Sequence, residues 1–389
     1  MGWGVRSRRF LRWLAGPVCL ASLALPAPGA SAENGISATE VLLGGSAPLS
    51  GPSGEVGSQF LAGAQAYFSR LNARGGIHGR KLRLISMDDG YDPARTLANT
   101  RQLIERDKVF ALFGYVGTPT VTAALPLING ARIPLFAPMS GAASLREPFN
   151  RLIFNIRASY ASETLYLLRQ LRGNGRSKVA VFYQNDEFGQ STLDTLRDRV
   201  GTYGLSLVGA VGIPRNSDVV SRQADALLRM KPDVVILVVS YRAAAALILQ
   251  MRRAGYLGGF SNYSFVGSRS LANRLKDEGA GIEITQVVPF PGKARLPIVY
   301  EYQKATSQMP SAGDSFSGLE GYIAARALAE GVRRAGRNLT REGLIRALES
   351  ITPDSYDGGG FVLQFGPSSH NGSDYVDLTA IGTGGRFIN

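Results

Sequence analysis

The sequence predicts an α/β fold in which two doubly wound lobes, each built on a parallel sheet, share one chain. Strand-like apolar runs alternate with helical segments of roughly 10–15 residues, which is typical of parallel sheets with covered faces. Residues 234–239 consist of Val, Ile and Leu, as expected of a strand buried on both sides. About ten strands precede residue 290, too many for one half-unit, and a break near Arg157 divides them into two lobes of about 120 residues.

The first predicted lobe starts with an apolar strand at 41–47 and a helix that follows it. That helix has Phe60, Ala64 and Phe68 on one face and ends at Gly75-Gly76. A strand at 81–87 precedes the next helix, which opens with Asp92 as cap and Pro93 in the first turn. The remaining elements of this lobe are predicted as strands at 109–113, 134–137 and 153–156 and a helix at 120–128.

The second predicted lobe repeats the alternation. Its helices are predicted at 163–171, 190–203, 217–230 and 242–253, and its strands at 178–183, 206–211, 234–239, 265–266 and 284–288. After a proline-bounded stretch at 289–297 the pattern changes to three helices, at 298–306, 318–334 and 340–348. The tail contains two predicted strands in glycine-rich loops, at 361–365 and 375–381.

The N-terminal segment is interpreted as a secretory signal peptide that is cut after Ala32. Four arginines and no acid precede a short apolar stretch at 13–25, and an A-x-A site ends it. The stretch is shorter than the roughly 20 residues that span a bilayer, which argues against the alternative, a membrane anchor. Val18 before Cys19 argues against lipidation, and the missing spacer after Arg9 favours the general export route. Cleavage would leave 39 basic and 30 acidic residues, a formal charge of +9, and remove the one Cys and both Trp.

The composition excludes several classes of function. With 44% hydrophobic and 19% charged residues the chain can form a packed core, so wholesale disorder is excluded. One Cys and two His exclude a disulfide framework and a multi-cysteine metal site. Basic residues are interspersed with acids, so the formal charge of +13 for the whole chain indicates no nucleic-acid patch. We expect no metal, no cofactor and no nucleic-acid partner.

The loops after the strands are where such sheets hold ligands, and here they carry no catalytic signature. The dinucleotide fingerprint, the P-loop and the G-x-S-x-G nucleophile motif are all absent from the sequence. Neither His78 nor His370 stands at a strand end beside a nucleophile. Asp88-Asp89 could serve as acid and base, but capping of turns and of the next helix explains it better. We therefore expect no catalytic residues.

The same loops do carry residues that suit a binding cleft. Ser50, Thr118, Ser140-Gly141 and Ser268 follow predicted strands, and Tyr160, Phe188 and Tyr241 could form apolar walls. A few hydroxyls with aromatic walls are typical of a small-molecule binding site. Helix capping is an alternative role for Ser50, Thr118 and Ser140. Capping and ligand binding are compatible, because a helix N-terminus attracts a carboxylate.

Three longer motifs follow one another along the chain: GSAPLSGPSG at 45–54, ARGGIHGRK at 73–81 and DDGYDP at 88–93. Shorter ones are Phe113-Gly114, Pro138, NDEFG at 185–189 and Pro232-Asp233. This set resembles the periplasmic leucine/isoleucine/valine-binding protein family, the solute-binding proteins of ABC importers. The resemblance implies the type I periplasmic-binding fold, with a three-crossing hinge, a ligand between the lobes and closure on binding.

The resemblance also implies domain boundaries. Lobe 1 would contain 33–156 and 289–356, and lobe 2 would contain 157–288 and 357–389. The hinge crossings would lie near 155–158, 286–290 and 357–361.

The resemblance assigns ligand contacts one position at a time. Thr118 would bind the ligand carboxylate, the loop of Ser140, Gly141 and Ala142 would add hydroxyl and backbone contacts, and Phe188 and Tyr241 would be aromatic contacts from the second lobe. Amino-acid binders of the family use an acid after a second-lobe strand for the α-ammonium, but the matching stretch here is Gly267-Ser268-Arg269. We therefore expect a carboxylate ligand without the usual ammonium contact, with Arg269 either binding it or solvated on the surface.

The resulting functional hypothesis is a monomeric periplasmic protein that binds a small carboxylate-bearing solute, amino-acid-like or an aromatic or organic acid. It would deliver that solute to an ABC permease at the inner membrane. The alternatives are a periplasmic sensor that reports to a membrane receptor and an exported enzyme, which the missing nucleophile and metal sets disfavour. A related repressor is disfavoured because a signal peptide, not a helix-turn-helix, precedes the first strand.

Overall fold

The computed structural model describes residues 1–4, 33–309 and 313–388. The chain separates into the units Met1–Ala32 and Glu33–Asn389, and the first is irregular where it is described. The predicted cleavage site lies outside the described residues.

The first sheet is parallel throughout and has the strand order β2-β1-β3-β4-β5. Its strands are β1 (Glu40–Ala47), β2 (Lys81–Asp88), β3 (Ala111–Phe113), β4 (Leu135–Phe136) and β5 (Ile153–Phe154). The helices α1 (Gly54–Ala73), α2 (Pro93–Glu105) and α3 (Thr118–Gly130) connect them. We call the layers around this sheet lobe 1.

The second sheet, the core of lobe 2, has the order β12-β11-β10-β9-β8-β6-β7. Its parallel strands are β6 (Lys178–Gln184), β7 (Ser206–Ile213), β8 (Val234–Val238), β9 (Gly259–Asn262) and β10 (Glu283–Gln286). Two antiparallel strands from the tail, β11 (Asp377–Ile381) and β12 (Phe387–Ile388), extend one edge. The prediction of two doubly wound parallel-sheet lobes is confirmed.

The helices of lobe 2 are α4 (Tyr160–Gly173), α5 (Glu187–Val200), α6 (Ser221–Met230), α7 (Tyr241–Arg253) and α8 (Ser268–Leu275). The three later helices, α9 (Pro297–Thr306), α10 (Phe316–Ala335) and α11 (Arg341–Glu349), join lobe 1 by packing on α1 or on one another. No helix in the described ranges is both long and apolar enough to cross a membrane.

One part of lobe 2 differs from the prediction. The predicted strand at 265–266 is a short helical turn, and the real strand β9 comes earlier. Strand β9 was missed because it carries Ser261 and Asn262, which look too polar for a buried strand. Both are buried, and both bond to Glu283 of β10: the Ser261 hydroxyl donates to its carboxylate, and the Asn262 amide to its carbonyl. The next helix, α8, was missed with it.

The tail also differs from the prediction, because residues 361–365 form no strand. Phe365 lies against Phe136 and Phe154 of lobe 1, and Asn371 forms a bridge with Asn155. The chain then enters the second sheet as β11. The lobe boundaries as a whole stay a prediction, and these contacts favour a third crossing after Asn371 instead of at 357–361.

His370 anchors the tail to lobe 1. Its ring stacks on Phe154 at a centroid distance of 3.7 Å, and its nitrogens face the Ile153 carbonyl and the Glu349 carboxylate at 3.2 and 3.3 Å. Burial lowers the pKa of His370 from its usual 6.5, although Glu349 and the Ile153 carbonyl act in the opposite direction.

This lowered pKa predicts a loss of stability in acid. Below about pH 6.5 the unfolded chain binds more protons at His370 than the folded protein does. We therefore expect the full contribution of His370 above that pH and its progressive loss as the pH falls through the lowered folded value. Urea unfolding between about pH 7 and about pH 5.5 would measure the slope. His370→Phe, which keeps a ring on Phe154, should flatten it, and an unchanged slope would contradict the prediction.

Candidate functional site

The two lobes contact each other directly across the loops that follow their strands. The Gln184 side chain donates to the Tyr91 hydroxyl at 3.2 Å, and the Ser144 hydroxyl donates to Glu187 at 2.8 Å. The Asn216 amide donates to the Gly90 carbonyl at 3.2 Å. These contacts join opposite lobes, so the facing loops of the two lobes touch one another in this structure.

Two predicted hydroxyls meet at the lobe 1 side of this cleft. Thr118 begins α3, and Ser140 lies in the loop after β4; both are fully buried, and their hydroxyl oxygens are 2.8 Å apart. Gly117 caps α3 with φ of 99°, a backbone conformation that favours glycine, and no side-chain oxygen caps the helix. The α3 N-terminus therefore presents backbone N–H groups beside the two hydroxyls, as a carboxylate site requires.

Arg146 holds the loop that carries Ser140. Its guanidinium donates to the carbonyls of Ser140, Ala142 and Arg157 at 3.4, 2.8 and 3.0 Å. Burial lowers the pKa of Arg146 to about 10, and nearby Arg157 acts in the same direction. Because Arg146 binds three carbonyls, it fixes the loop of Ser140 and Ala142 against the first crossing between the lobes.

Tyr160 packs on this loop from lobe 2. Its backbone N–H donates to the Gly141 carbonyl at 2.8 Å. Burial raises the pKa of the Tyr160 hydroxyl to about 12, against the lowering effects of Arg157 and Thr118. A cavity of about 400 Å³ opens beside Tyr160 and is lined by Gly141 and Ala142, among others. A cavity of about 510 Å³ lies along the tail, between residues 360 and 375, and contains none of the predicted site residues.

The close packing of Tyr160 makes Gly141 sensitive to substitution. A Cβ at position 141 would lie 2.6 Å from Cδ1 of Tyr160 and equally near its backbone nitrogen. We expect Gly141→Ala to lower the free energy of unfolding by about 1–3 kcal/mol, the usual effect of overpacking. Urea unfolding measures it, with Gly173→Ala as the control, because Gly173 lies in α4 and its added Cβ would have no heavy atom of the described residues within 4 Å. Equal effects of the two variants would contradict the prediction.

A row of aromatic rings continues the wall of the cleft. Ring centroids lie 5.0 Å apart for Tyr160 and Phe188, 5.0 Å for Phe188 and Phe265, and 5.9 Å for Tyr91 and Phe265. Sequence reasoning missed Tyr91 and Phe265. Tyr91 stands inside the DDGYDP motif, which was a usable signal, whereas Phe265 was assigned to a strand.

Ser50 lies apart from the buried hydroxyls. It is exposed, and its backbone N–H and hydroxyl donate to the Asp88 carboxylate at 3.2 and 2.6 Å. Burial alone would raise the pKa of Asp88, but hydrogen bonds from Ser50, two backbone N–H groups and Arg95 lower it well below its usual range.

Asp89 is buried and accepts hydrogen bonds from the Ser46 and Thr96 hydroxyls and from the Tyr91 backbone N–H, while burial raises its pKa. Both carboxylates thus organise turns, as the capping interpretation expects.

The remaining predicted residues lie between the lobes but have partners of their own. Tyr241 is buried beside Gly267, whose added Cβ would also meet Val56 of α1 at 2.6 Å. The Ser268 hydroxyl accepts from Gln286 at 2.9 Å. Arg269 lies over the Phe387 ring at 4.6 Å and pairs with Asp314 at 3.7 Å. The assignment of these side chains to a ligand stays a prediction.

A buried charged cluster near the first crossing was not anticipated. Arg157 and Glu320 of α10 form an ion pair at 3.4 Å, with side-chain exposures of 0% and 3%. Arg157 Nη2 also donates to the Ser264 hydroxyl, and Glu163 accepts from the Ser264 backbone and hydroxyl and from Thr285. The sequence could have indicated Glu320 as part of a buried pair, because an acid on the apolar face of a predicted helix needs a buried partner.

The site therefore supplies hydroxyls, a helix N-terminus, aromatic walls and a buried guanidinium, which together suit a small organic solute. Among the described residues no group of three or more His, Cys, Asp or Glu is arranged to hold a metal ion.

Comparison with known proteins agrees with the fold. A family model described as periplasmic binding protein matches residues 40–386. Leu/Ile/Val-binding protein homolog 8 of Brucella abortus (strain 2308) is 26% identical over 85% of this chain and 86% of its own length.

Solved structures give the same result. A substrate-binding periplasmic protein from Ralstonia solanacearum is 32% identical with a TM-score of 0.84, covering 90% of this chain and 99% of that one. A possible leucine/isoleucine/valine-binding protein from Rhodopirellula baltica SH 1 is 32% identical with a TM-score of 0.83, covering 91% and 96%. The predicted type I periplasmic-binding fold and the resemblance on which it rested are confirmed. This chain belongs to the periplasmic binding protein family.

Proposed function

We propose that this protein is the extracytoplasmic substrate-binding protein of an ABC importer. It binds a small carboxylate-bearing solute, amino-acid-like or an aromatic or organic acid, between its lobes and closes around it by hinge motion. The observation that carries the proposal is the buried pair of Thr118 and Ser140 at the α3 N-terminus, beside Tyr160 of lobe 2, whose ring packs on Phe188.

The contacts between the lobes support hinge closure. They join side chains and backbone from different sheets, so they form only when the lobes meet. A ligand that contacts both lobes shifts the population towards this closed form. The relatives named as Leu/Ile/Val-binding proteins support a solute of amino-acid size. An ABC permease at the inner membrane would receive the closed form, and we propose that the protein works there as a monomer in the periplasm.

A binding screen tests the proposal. The chain from residue 33 onwards would be heated with L-amino acids, aromatic acids and dicarboxylates, and isothermal calorimetry would measure each ligand that raises the melting temperature. A panel in which no carboxylate raises it would contradict the proposed ligand class. Loss of uptake of the identified solute in cells lacking this protein would test delivery to an importer.

Thr118→Val should lower the affinity for the ligand identified in the screen about tenfold or more. The variant removes a hydroxyl but keeps the shape, and a hydrogen bond to a charged group contributes about 1.5–3 kcal/mol. Calorimetry measures the change. Thr306→Val is the matched control, because the hydroxyl of that buried threonine of α9 donates to the Tyr302 carbonyl within its own helix. If both variants bind the ligand with equal affinity, the Thr118 hydroxyl does not contact it.

A further inference from the structure

Arg157 occupies an unusual position for a fully buried arginine. Its backbone lies on the first crossing between the lobes, while its side chain reaches Glu320 of lobe 1 and Ser264 of lobe 2. Ser264 is in turn fixed by Glu163, which receives the Ser264 N–H and hydroxyl, each at 2.9 Å. One nitrogen of the guanidinium is therefore held in place by a buried network, which orients the rest of the group.

The other two guanidinium nitrogens make no hydrogen bond to any described residue. Nε faces Glu320 as an ion pair at 3.4 Å but without hydrogen-bond alignment, and Nη1 makes no hydrogen bond within the described part of the chain. Nη1 carries two N–H donors. Buried charged donors almost always have acceptors, because leaving one unpaired costs its full desolvation. An anionic acceptor that is not part of this chain would satisfy the group.

The guanidinium also lies beside the proposed ligand site. Its Cζ is 6.0 Å from the centre of the Tyr160 ring, the ring that packs on Gly141 and Phe188. The Arg157 carbonyl accepts from Arg146, which also binds the Ser140 and Ala142 carbonyls. Arg157 is thus tied to the same loop that carries the Ser140 hydroxyl.

We propose that Arg157 is a specificity-determining residue of the cleft, and that its Nη1 donates to a carboxylate of the bound solute. This rests on the proposed function and adds the group that selects an anion over its neutral analogue. The hydroxyls of Thr118 and Ser140 can serve a carboxylate or an amide alike, whereas a guanidinium favours the carboxylate by its charge. Arg269, the arginine that the sequence suggests, already contacts Asp314 and Phe387.

The test compares each carboxylate with its own amide. The probes are L-leucine with L-leucinamide and phenylacetate with phenylacetamide, extended by the amide of any other carboxylate found in the screen. We expect the wild-type protein to prefer the carboxylate by about tenfold or more, the effect of one charge-assisted hydrogen bond. Arg157→Gln should remove most of that preference and leave only the part that the α3 N-terminus contributes, and Arg157→Lys should give an intermediate value because the charge remains.

Two further variants protect the test from a folding defect. Arg157→Gln together with Glu320→Gln removes both charges of the ion pair, while Glu163 keeps its hydrogen bonds from Ser264 and Thr285, and the double variant should show the same loss of selectivity. Arg83→Gln is the control, since Arg83 pairs with Glu40 on the surface and its side chain is 54% exposed. Its carboxylate-to-amide ratio should equal that of the wild type.

The outcomes separate this inference from the proposed function. If the wild type binds no carboxylate of the panel, the proposed function fails and the inference fails with it. A second outcome is that the wild type binds a carboxylate while Arg157→Gln and the double variant keep the wild-type ratio of carboxylate to amide affinity. In that case the proposed function stands and Arg157 is not the selecting group. If Arg269→Gln, and not Arg157→Gln, abolishes the ratio, the selecting arginine is the one that the sequence suggests.

Discussion

Replacing Glu320 with leucine is expected to lower the free energy of unfolding by about 3–5 kcal/mol. Glu320 is almost fully buried on α10, and it is the ion-pair partner of an equally buried Arg157. Leucine fits an apolar helix face but leaves the guanidinium charge buried without its counter-charge. Breaking a buried pair from one side is therefore far more damaging than replacing both partners.

Urea unfolding of a double-mutant cycle measures this effect. Arg157→Met combined with Glu320→Leu should recover most of the loss, because neither member of the ion pair is left to face a missing partner. The surface pair of Arg83 and Glu40 gives the reference, and Glu40→Gln should change stability by less than about 1 kcal/mol. A double variant that is as unstable as the sum of its single variants would show that the two charges do not interact.

Gly63→Ala is expected to lower the free energy of unfolding by about 3 kcal/mol, the upper end of the overpacking range. Helices α1 and α10 approach through glycines: a Cβ on Gly63 would lie 1.8 Å from the Gly318 carbonyl oxygen, and one on Gly321 would lie 1.9 Å from the Phe60 carbonyl oxygen. Both obstacles are backbone atoms, so no side-chain rotation can relieve them. The helices would have to move apart along their whole contact.

Thermal or urea unfolding of Gly63→Ala tests this prediction. Gly130→Ala is the control, since Gly130 is also helical but, in the part of the chain that the structure describes, no heavy atom lies within 4 Å of an added Cβ. That variant should be neutral or slightly stabilising, because alanine favours a helix more than glycine does. A Gly63→Ala variant as stable as this control would mean that α1 and α10 are not in close contact.

Much of the fold could be predicted from local patterns. The strands at 41–47 and 234–239 and the helix cap at Asp92 depend on nearest neighbours in the chain, and the structure has β1, β8 and α2 there. The same reasoning missed strand β9, because its polar residues Ser261 and Asn262 are buried with Glu283 of the neighbouring strand as hydrogen-bond partner. A polar residue in a buried strand is permitted by a partner that lies elsewhere in the chain.

The candidate site divides in the same way. Thr118 and Ser140 were predicted because each follows a strand of the same sheet, and the carboxyl ends of parallel strands meet at one edge. Arg157 and Glu320 are 163 positions apart on different elements, and no spacing rule brings them together. The sequence suggested Arg269 as a contact for the ligand carboxylate, but α8 places its side chain against Asp314 and Phe387.

The sequence by itself determined the two α/β lobes, the family motifs and the hydroxyls at the strand ends, since these follow from periodicity and from short local signals. Only the tertiary structure decided which arginine is buried beside Tyr160, which acid pairs with it, and where the tail leaves lobe 1. Those outcomes depend on how helices and loops far apart in the chain pack against each other. Burial and pairing of charges are set by that packing and not by the order of residues.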